Sequence, residues 1–158
     1  MTAGDIAKDQ LLIVESFTVK SSEDVEKGEI VYNDGNGILA APNTVTGPFM
    51  VALEDHDYSE ETTHSLECVL VGCVEVQKKT GTAIKKGQAI MVSSDAGEAT
   101  LFTKGDAPAG GSSTYYTTTI ESGVQTAIDT NIARVGIAQA DAASDATTVK
   151  VWLGVNPG

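Results

Sequence analysis

Two stretches of this chain are versions of one another, and that recurrence limits the possible folds more than any other feature. Residues 25–40 read VEKGEIVYNDGNGILA and residues 84–101 read IKKGQAIMVSSDAGEATL. Each opens on a Lys-Gly turn, runs through a short apolar strand, passes a turn built on Asp and Gly, and returns. Asn, Asp and Gly accept the positive φ that tight hairpin turns demand, so both stretches read as β-hairpins for a mechanical reason. Lys27-Gly28 and Lys86-Gly87 lie 59 residues apart, whereas the turn aspartates Asp34 and Asp95 lie 61 apart. The second copy is therefore expected to be two residues longer, in its first strand. Two residues are one pleat period, so the same face stays inward.

The order of elements around the hairpins also repeats. A short apolar strand follows each (49–53; 134–138), then an acidic loop (54–61; 141–145), then an alternating strand (68–76; 149–153). A further strand, 11–19, precedes the first copy, with Phe17 and Val19 on one face and Thr18 on the other. No stretch sustains a 3.6-residue period, and short strands with turn signals at close spacing read as all-β. The expected fold is a single β-barrel or sandwich-like domain of two related halves over residues 11–158. A chain of 158 residues suits one domain with a substantial core. Residues 1–10, polar and small, read as a flexible N-terminal arm. Residues 103–131 form a long Gly/Ser/Thr-rich insertion that the first half lacks. Loops of that length in compact domains are usually functional.

The strongest strand is 66–76, LECVLVGCVEV, apolar on both faces at its middle. Gly72 within it suggests a bulge or a close backbone approach. Cys68 and Cys73 fall on opposite faces of this strand and are expected to be buried free thiols. The expected core comprises Phe17, Val19, Ile30, Leu53, Leu70, Val74, Ile90, Val92, Ile137, Val149, Val151 and Leu153.

Charge and motif content remove whole function classes. The net charge of −12 repels DNA and anionic membranes, and aromatics at 5% leave few stacking platforms for single strands. No apolar run approaches the roughly 18–20 residues that span a bilayer. The N-terminus, MTAGDIAKDQ, has no apolar h-region, so no signal peptide is expected. No nucleophile elbow, phosphate loop or dinucleotide fingerprint is present, so no catalytic residue, cofactor or enzyme activity is expected. His56 and His64 sit among Glu54, Asp55, Asp57, Glu60 and Glu61, but the spacing fits neither a calcium loop nor a zinc pair. The loop at 54–63 reads as a solvated, mobile acidic face rather than a metal site.

The order of the pieces resembles the capsid cement, or head-decoration, proteins of tailed phages. The residues that carry the resemblance are Val25, Gly28 and Val31 of the first hairpin, the runs GPFMVAL and CVLVGCVEV, and Ile84, Lys86, Gly87, Ile90 and Val92 of the second hairpin. The closing motifs are 135–138, VGIA, and the strand bearing Val149, Val151 and Leu153. The likeness covers roughly residues 11–102 and 132–154 and excludes the insertion and the acidic loop. It implies a structural virion protein on the outer surface of an icosahedral capsid, made in the host cytoplasm. Its partner would be the major capsid protein, whose neighbouring copies it clamps, and it would act as a homo-oligomer, most often a trimer. Neither nucleic acid nor membrane would be bound. Within the arm, Asp5, Ile6, Lys8 and Asp9 are the expected capsid contacts: Ile6 is its one sizeable aliphatic anchor, and the charged three can pair with capsid charges. The alternative reading is a carbohydrate- or receptor-binding β module on a virion surface, with Tyr115, Tyr116 and Trp152 as stacking residues.

Overall fold

A computed structural model describes residues 3–4, 12–103, 124, 128 and 134–154. Nine strands are built from them: β1 (Ile13–Thr18), β2 (Ile30–Asn33), β3 (Ile38–Ala40), β4 (Met50–Ala52), β5 (Ser65–Gln77), β6 (Ala89–Val92), β7 (Ala99–Leu101), β8 (Arg134–Ala138) and β9 (Thr148–Leu153). Eight run in the order β3-β2-β4-β5-β9-β8-β6-β7, and β1 pairs with β5 off this path. Every pairing between them is antiparallel, and the fold is all-β as expected. Val124 and Ile128, two isolated described positions, are helical and exposed.

The two halves are the same object built twice. Hairpin β2–β3 pairs Val31 with Ala40 and Asn33 with Ile38; hairpin β6–β7 pairs Ile90 with Leu101 and Val92 with Ala99. Strand β4 lies against β2 as β8 lies against β6. The Gly28 N–H donates to the Ala52 carbonyl at 2.9 Å, and the Gly87 N–H to the Ala138 carbonyl at 2.8 Å. Each half then curls back on itself through one parallel bridge, Val19 to Ile38 in the first and Lys78 to Ala99 in the second. The Lys-Gly turns thus occupy equivalent places.

The two added residues of the second copy are not in its first strand. β2 and β6 are both four residues long, and Asn33 and Val92 close them at equivalent rungs. Ser93 and Ser94 lengthen the turn instead, which the Ser93 N–H closes on the Glu98 carbonyl at 2.7 Å. The sequence VSSD extends a strand pattern, but the Ser93 hydroxyl accepts the Asp95 N–H at 2.9 Å and starts the turn early. The aspartates are nevertheless true counterparts. Asp34 holds Lys20 at 2.9 Å, and Asp95 holds Lys79 at the same distance.

A single long strand serves both halves. β5 has 13 residues, about twice an ordinary strand. Its first part pairs with β1, up to Val71, and with β4 at Val69 and Cys68; its last part, from Gly72, pairs with β9. Gly72, at φ +139°, sits where the partners change, a conformation that glycine alone adopts freely. The bulge itself falls two residues earlier. Val14 opposes Val69 and Ile13 opposes Val71, so Leu70 is the supernumerary residue.

Of the expected core, Val19, Ile30, Val74, Ile90, Val92, Val149, Val151 and Leu153 are buried. Phe17, Leu53, Leu70 and Ile137 are only half-buried. Leu70 is displaced by the bulge, and Phe17 lies on β1, which pairs with no strand but β5 among the described residues. Both cysteines are buried and free, as expected. The burial of Cys68 pushes its thiol up to about 12, so it stays neutral and unreactive.

Candidate interaction surfaces

The junction between the halves is built from a turn and a strand edge. The Gln77 N–H, at the end of β5, donates to the Gly28 carbonyl at 2.8 Å. The Gln77 side-chain amide reaches the Lys27 carbonyl and the Glu26 carboxylate, each at 3.1 Å. Opposite them, the longer turn of the second half enters the first. Gly97 accepts the Ile30 N–H at 2.7 Å and donates to the Ala41 carbonyl at 3.0 Å. Gly97 has φ +80°, which favours glycine, and an added Cβ would come within 2.9 Å of the Glu29 carboxyl carbon. The cost of this close approach falls on Glu29. Burial, above all, pushes that carboxyl up to about 6, with Glu26 and Glu98 adding to the rise.

Ala3 and Gly4, the two described residues of the N-terminal arm, lie at the same junction. The Gly4 N–H donates to the Glu75 carbonyl at 2.7 Å, and Ala3 covers Gly28. The expected contacts Asp5, Ile6, Lys8 and Asp9 lie outside the described residues, as do Tyr115 and Tyr116. Trp152 is half-buried in β9, opposite Cys73 and Ile137.

Where β5 changes partners, a groove of about 690 Å³ opens, lined by Phe17, Pro48, Phe49, Leu70, Val71 and Arg134 among others. The Arg134 guanidinium stands 4.1 Å over the Phe102 ring. The groove joins apolar side chains of the first half to the start of β8 in the second.

The acidic loop is not a loose solvated face throughout. Its carboxylates are exposed, but His56 is only 2% exposed. Its backbone exchanges two hydrogen bonds with Val25, at 3.0 and 2.8 Å, and the ring stands 5.4 Å from His64, which stacks on Tyr58 at 3.8 Å. Neither His56 ring nitrogen makes a hydrogen bond, and its Nε2 lies 3.8 Å from the Glu61 carboxylate. Three nearby acids, Asp24, Asp55 and Asp57, brace the loop. Asp55 accepts the Lys27 N–H and Asp24 the Tyr58 N–H, each at 2.8 Å. Asp57 accepts the Ser59 hydroxyl and N–H, which hold its carboxyl below the usual range. Among the described residues, no three His, Cys, Asp or Glu side chains come together as a metal site. Sequence reading missed the burial of His56 because its neighbours are all acidic; the partner that buries it, Val25, is 31 residues away.

Lys78 was missed for the same kind of reason. It is 2% exposed, and its ammonium donates to the carbonyls of Lys79, Ala146 and Ser144 at 3.0, 3.2 and 3.4 Å. Burial lowers its pKa, while three carbonyls satisfy all its donors.

No protein-family model and no curated protein matches the sequence. Solved structures share the fold, two of them as follows. One is from the capsid of Myoviridae phage XM1, with a TM-score of 0.59 and 16% identity over 96% of this chain and 89% of that one. The other is the N base of head fiber gp8.5 in bacteriophage phi29, with a TM-score of 0.52 and 16% identity over 90% of this chain and 95% of that one. The chain thus has the all-β fold of two proteins of phage heads, along nearly its whole length.

Proposed function

We propose that this chain is a structural virion protein that sits on the outer surface of an icosahedral capsid and strengthens it by clamping neighbouring major capsid proteins. The observation that carries the reading is the shared fold along 96% of the chain with a protein from a phage capsid, in agreement with the motif order of the sequence. A clamp needs a rigid apolar body, solubility before assembly and many weak contacts summed over a symmetric shell. The core spanning both halves supplies the first and the net charge of −12 the second. It acts as a homo-oligomer, with a trimer the preferred form, and catalyses nothing. Asp5, Ile6, Lys8 and Asp9 are its proposed capsid contacts.

Undecorated heads mixed with wild-type protein and with a variant carrying Ala at positions 5, 6, 8 and 9 provide the test. Wild type is expected to saturate the heads and raise their thermal stability, and the variant to bind at least ten-fold more weakly while unfolding at the wild-type temperature. No binding by wild type, together with a positive glycan array, would replace the clamp by the carbohydrate-binding alternative.

A further inference from the structure

The half–half junction is one-directional. The first half contributes its Lys-Gly turn and the second contributes the outer edge of its first strand, the end of β5. The reciprocal contact is not made among the described residues. By the register of the two halves, the counterpart of Gln77 is Thr18 on β1, and the counterpart of Gly28 is Gly87. Gly28 is buried, while Gly87 is exposed and has nothing within 4 Å of where its Cβ would stand. Glu75 is 8% exposed, while its counterpart Ser16 is exposed, as is Thr18. Each mating surface therefore occurs twice, once buried inside the chain and once open at an end of it.

The open edge is competent to pair. The Val19 N–H turns toward β5, donating to the His64 carbonyl at 2.9 Å, so the Thr18 N–H before it points outward by strand alternation. Ile13 on the same strand is 40% exposed, a sizeable aliphatic left on a free edge. Edges of this kind are templates for another chain. Charge also matches. In a strongly acidic protein the free turn carries the exposed Lys86 ammonium, beside Lys85, which is paired with Asp141 at 2.9 Å, while exposed Glu15 and Glu67 flank the β1 edge, Glu67 opposite Ser16.

We propose that copies of this chain join head to tail, the turn at residues 85–87 of one copy seating on the free β1 edge of the next, with the Thr18 N–H donating to the Gly87 carbonyl. A heterologous contact of this kind leaves one turn and one edge free on every partial assembly. It gives a ring if the rotation closes and a filament if it does not. The proposal deepens the homo-oligomer reading above. It is tested on free protein without heads, so its failure and a failure of capsid binding are separate results.

The test uses full-length chains. Lys86→Cys and Thr18→Cys, on separate chains, are oxidised singly and mixed, with Lys27→Cys/Gln77→Cys in one chain as the internal control for the same geometry. The expected result is a covalent dimer only in the mixture, and a ladder or a single ring when both cysteines share one chain. Light scattering of Thr18→Pro, which deletes the outward N–H, and of Lys86→Glu is expected to show at least ten-fold weaker self-association than wild type. Mixing those two variants should restore a dimer and nothing larger, because each keeps the end that the other lacks. Thr18→Pro is included only if its unfolding temperature matches wild type; the cysteine pair carries the test otherwise. Wild type remaining monomeric at millimolar concentration would overturn the proposal. So would Thr18→Cys cross-linking to itself, which would mean edge-to-edge pairing, or a mixture that cross-links no better than a pair with its cysteine at the exposed Thr63.

Discussion

The two halves follow one blueprint, yet equivalent positions carry different residues wherever their surroundings differ. His56 and Ala142 make the same double backbone bridge, to Val25 and to Ile84. The first half places an imidazole there, beside His64 and Tyr58, and the second a methyl group. Val19 and Lys78 close the two curled sheets at the same rung, one with an apolar side chain and one with a buried ammonium held by three carbonyls. Glu29 and Gln88 accept the same turn-closing N–H, from Glu26 at 3.0 Å and from Lys85 at 2.6 Å. Only Glu29 lies under the Gly97 turn of the other half, and only Glu29 pays in ionisation. A shared backbone plan thus fixes hydrogen bonds, while what covers a position decides its charge and volume.

The comparison breaks most visibly at the strand ends that face the core. Leu153 is fully buried at the end of β9, whereas Leu70, on the matching stretch of β5, is the bulge residue bordering the groove. Leu153→Ala is expected to cost about 3–4 kcal/mol, in the range of buried leucines, and Leu70→Ala only about 1–2 kcal/mol. Urea midpoints at constant slope check this. Equal costs would mean that the bulge does not separate Leu70 from the core.

Next comes the pair of Lys-Gly turns. Gly28 and Gly87 have nearly the same φ, +85° and +88°, so alanine at either strains the backbone by about 1–2 kcal/mol. At Gly28 the new methyl also meets Ala3, whose backbone stands 2.8 Å from it, and overpacking adds to the strain. Gly28→Ala is expected to cost about 3 kcal/mol and Gly87→Ala about 1 kcal/mol. Denaturant unfolding of the two variants side by side gives the difference, which is the packing value of the junction. A difference near zero would show that the N-terminal residues do not hold the turn.

The two-half plan was legible in the sequence because Lys27-Gly28 and Lys86-Gly87 mark conformational requirements that no other residue pair meets as well. The thiol burial and the all-β class followed from alternation in and around β5. What stayed hidden depends on contacts between residues far apart in the chain. The sharing of β5 was foreshadowed only by its length. The burial of His56 and Lys78 required carbonyls and side chains supplied by other segments, and polar residues in polar surroundings give no signal of it. The open β1 edge and the exposed turn at Gly87 are visible only by comparison with their buried counterparts, which needs the register. The expected contacts Asp5, Ile6, Lys8 and Asp9 rest on the sequence reading of the arm.

Glu29 gives the smallest and most specific test, because the second half already contains the substitution. Glu29→Gln puts the Gln88 side chain at the first-half position and keeps an oxygen to accept the Glu26 N–H at the turn. Burial raises the Glu29 carboxyl from 4.5 to about 6, so the folded state favours its neutral form. The stability from this group is fully present below about pH 4.5 and is lost as pH rises through 6. A rise of this size corresponds to at most about 2 kcal/mol, and partial exposure reduces it to about 1 kcal/mol. Glu29→Gln is therefore expected to stabilise the protein by about 1 kcal/mol at pH 7, with an advantage that shrinks through pH 6 and vanishes near pH 4.5. Differences in melting temperature between variant and wild type across that range give the curve directly. Gln88→Glu is the reciprocal control: Gln88 is not beneath a turn of the other half, so a carboxylate there is expected to leave the pH profile nearly unchanged. A flat difference for Glu29→Gln would mean that the Gly97 turn does not desolvate Glu29, and that the halves are held by the β5 strand and the Gly28 junction alone.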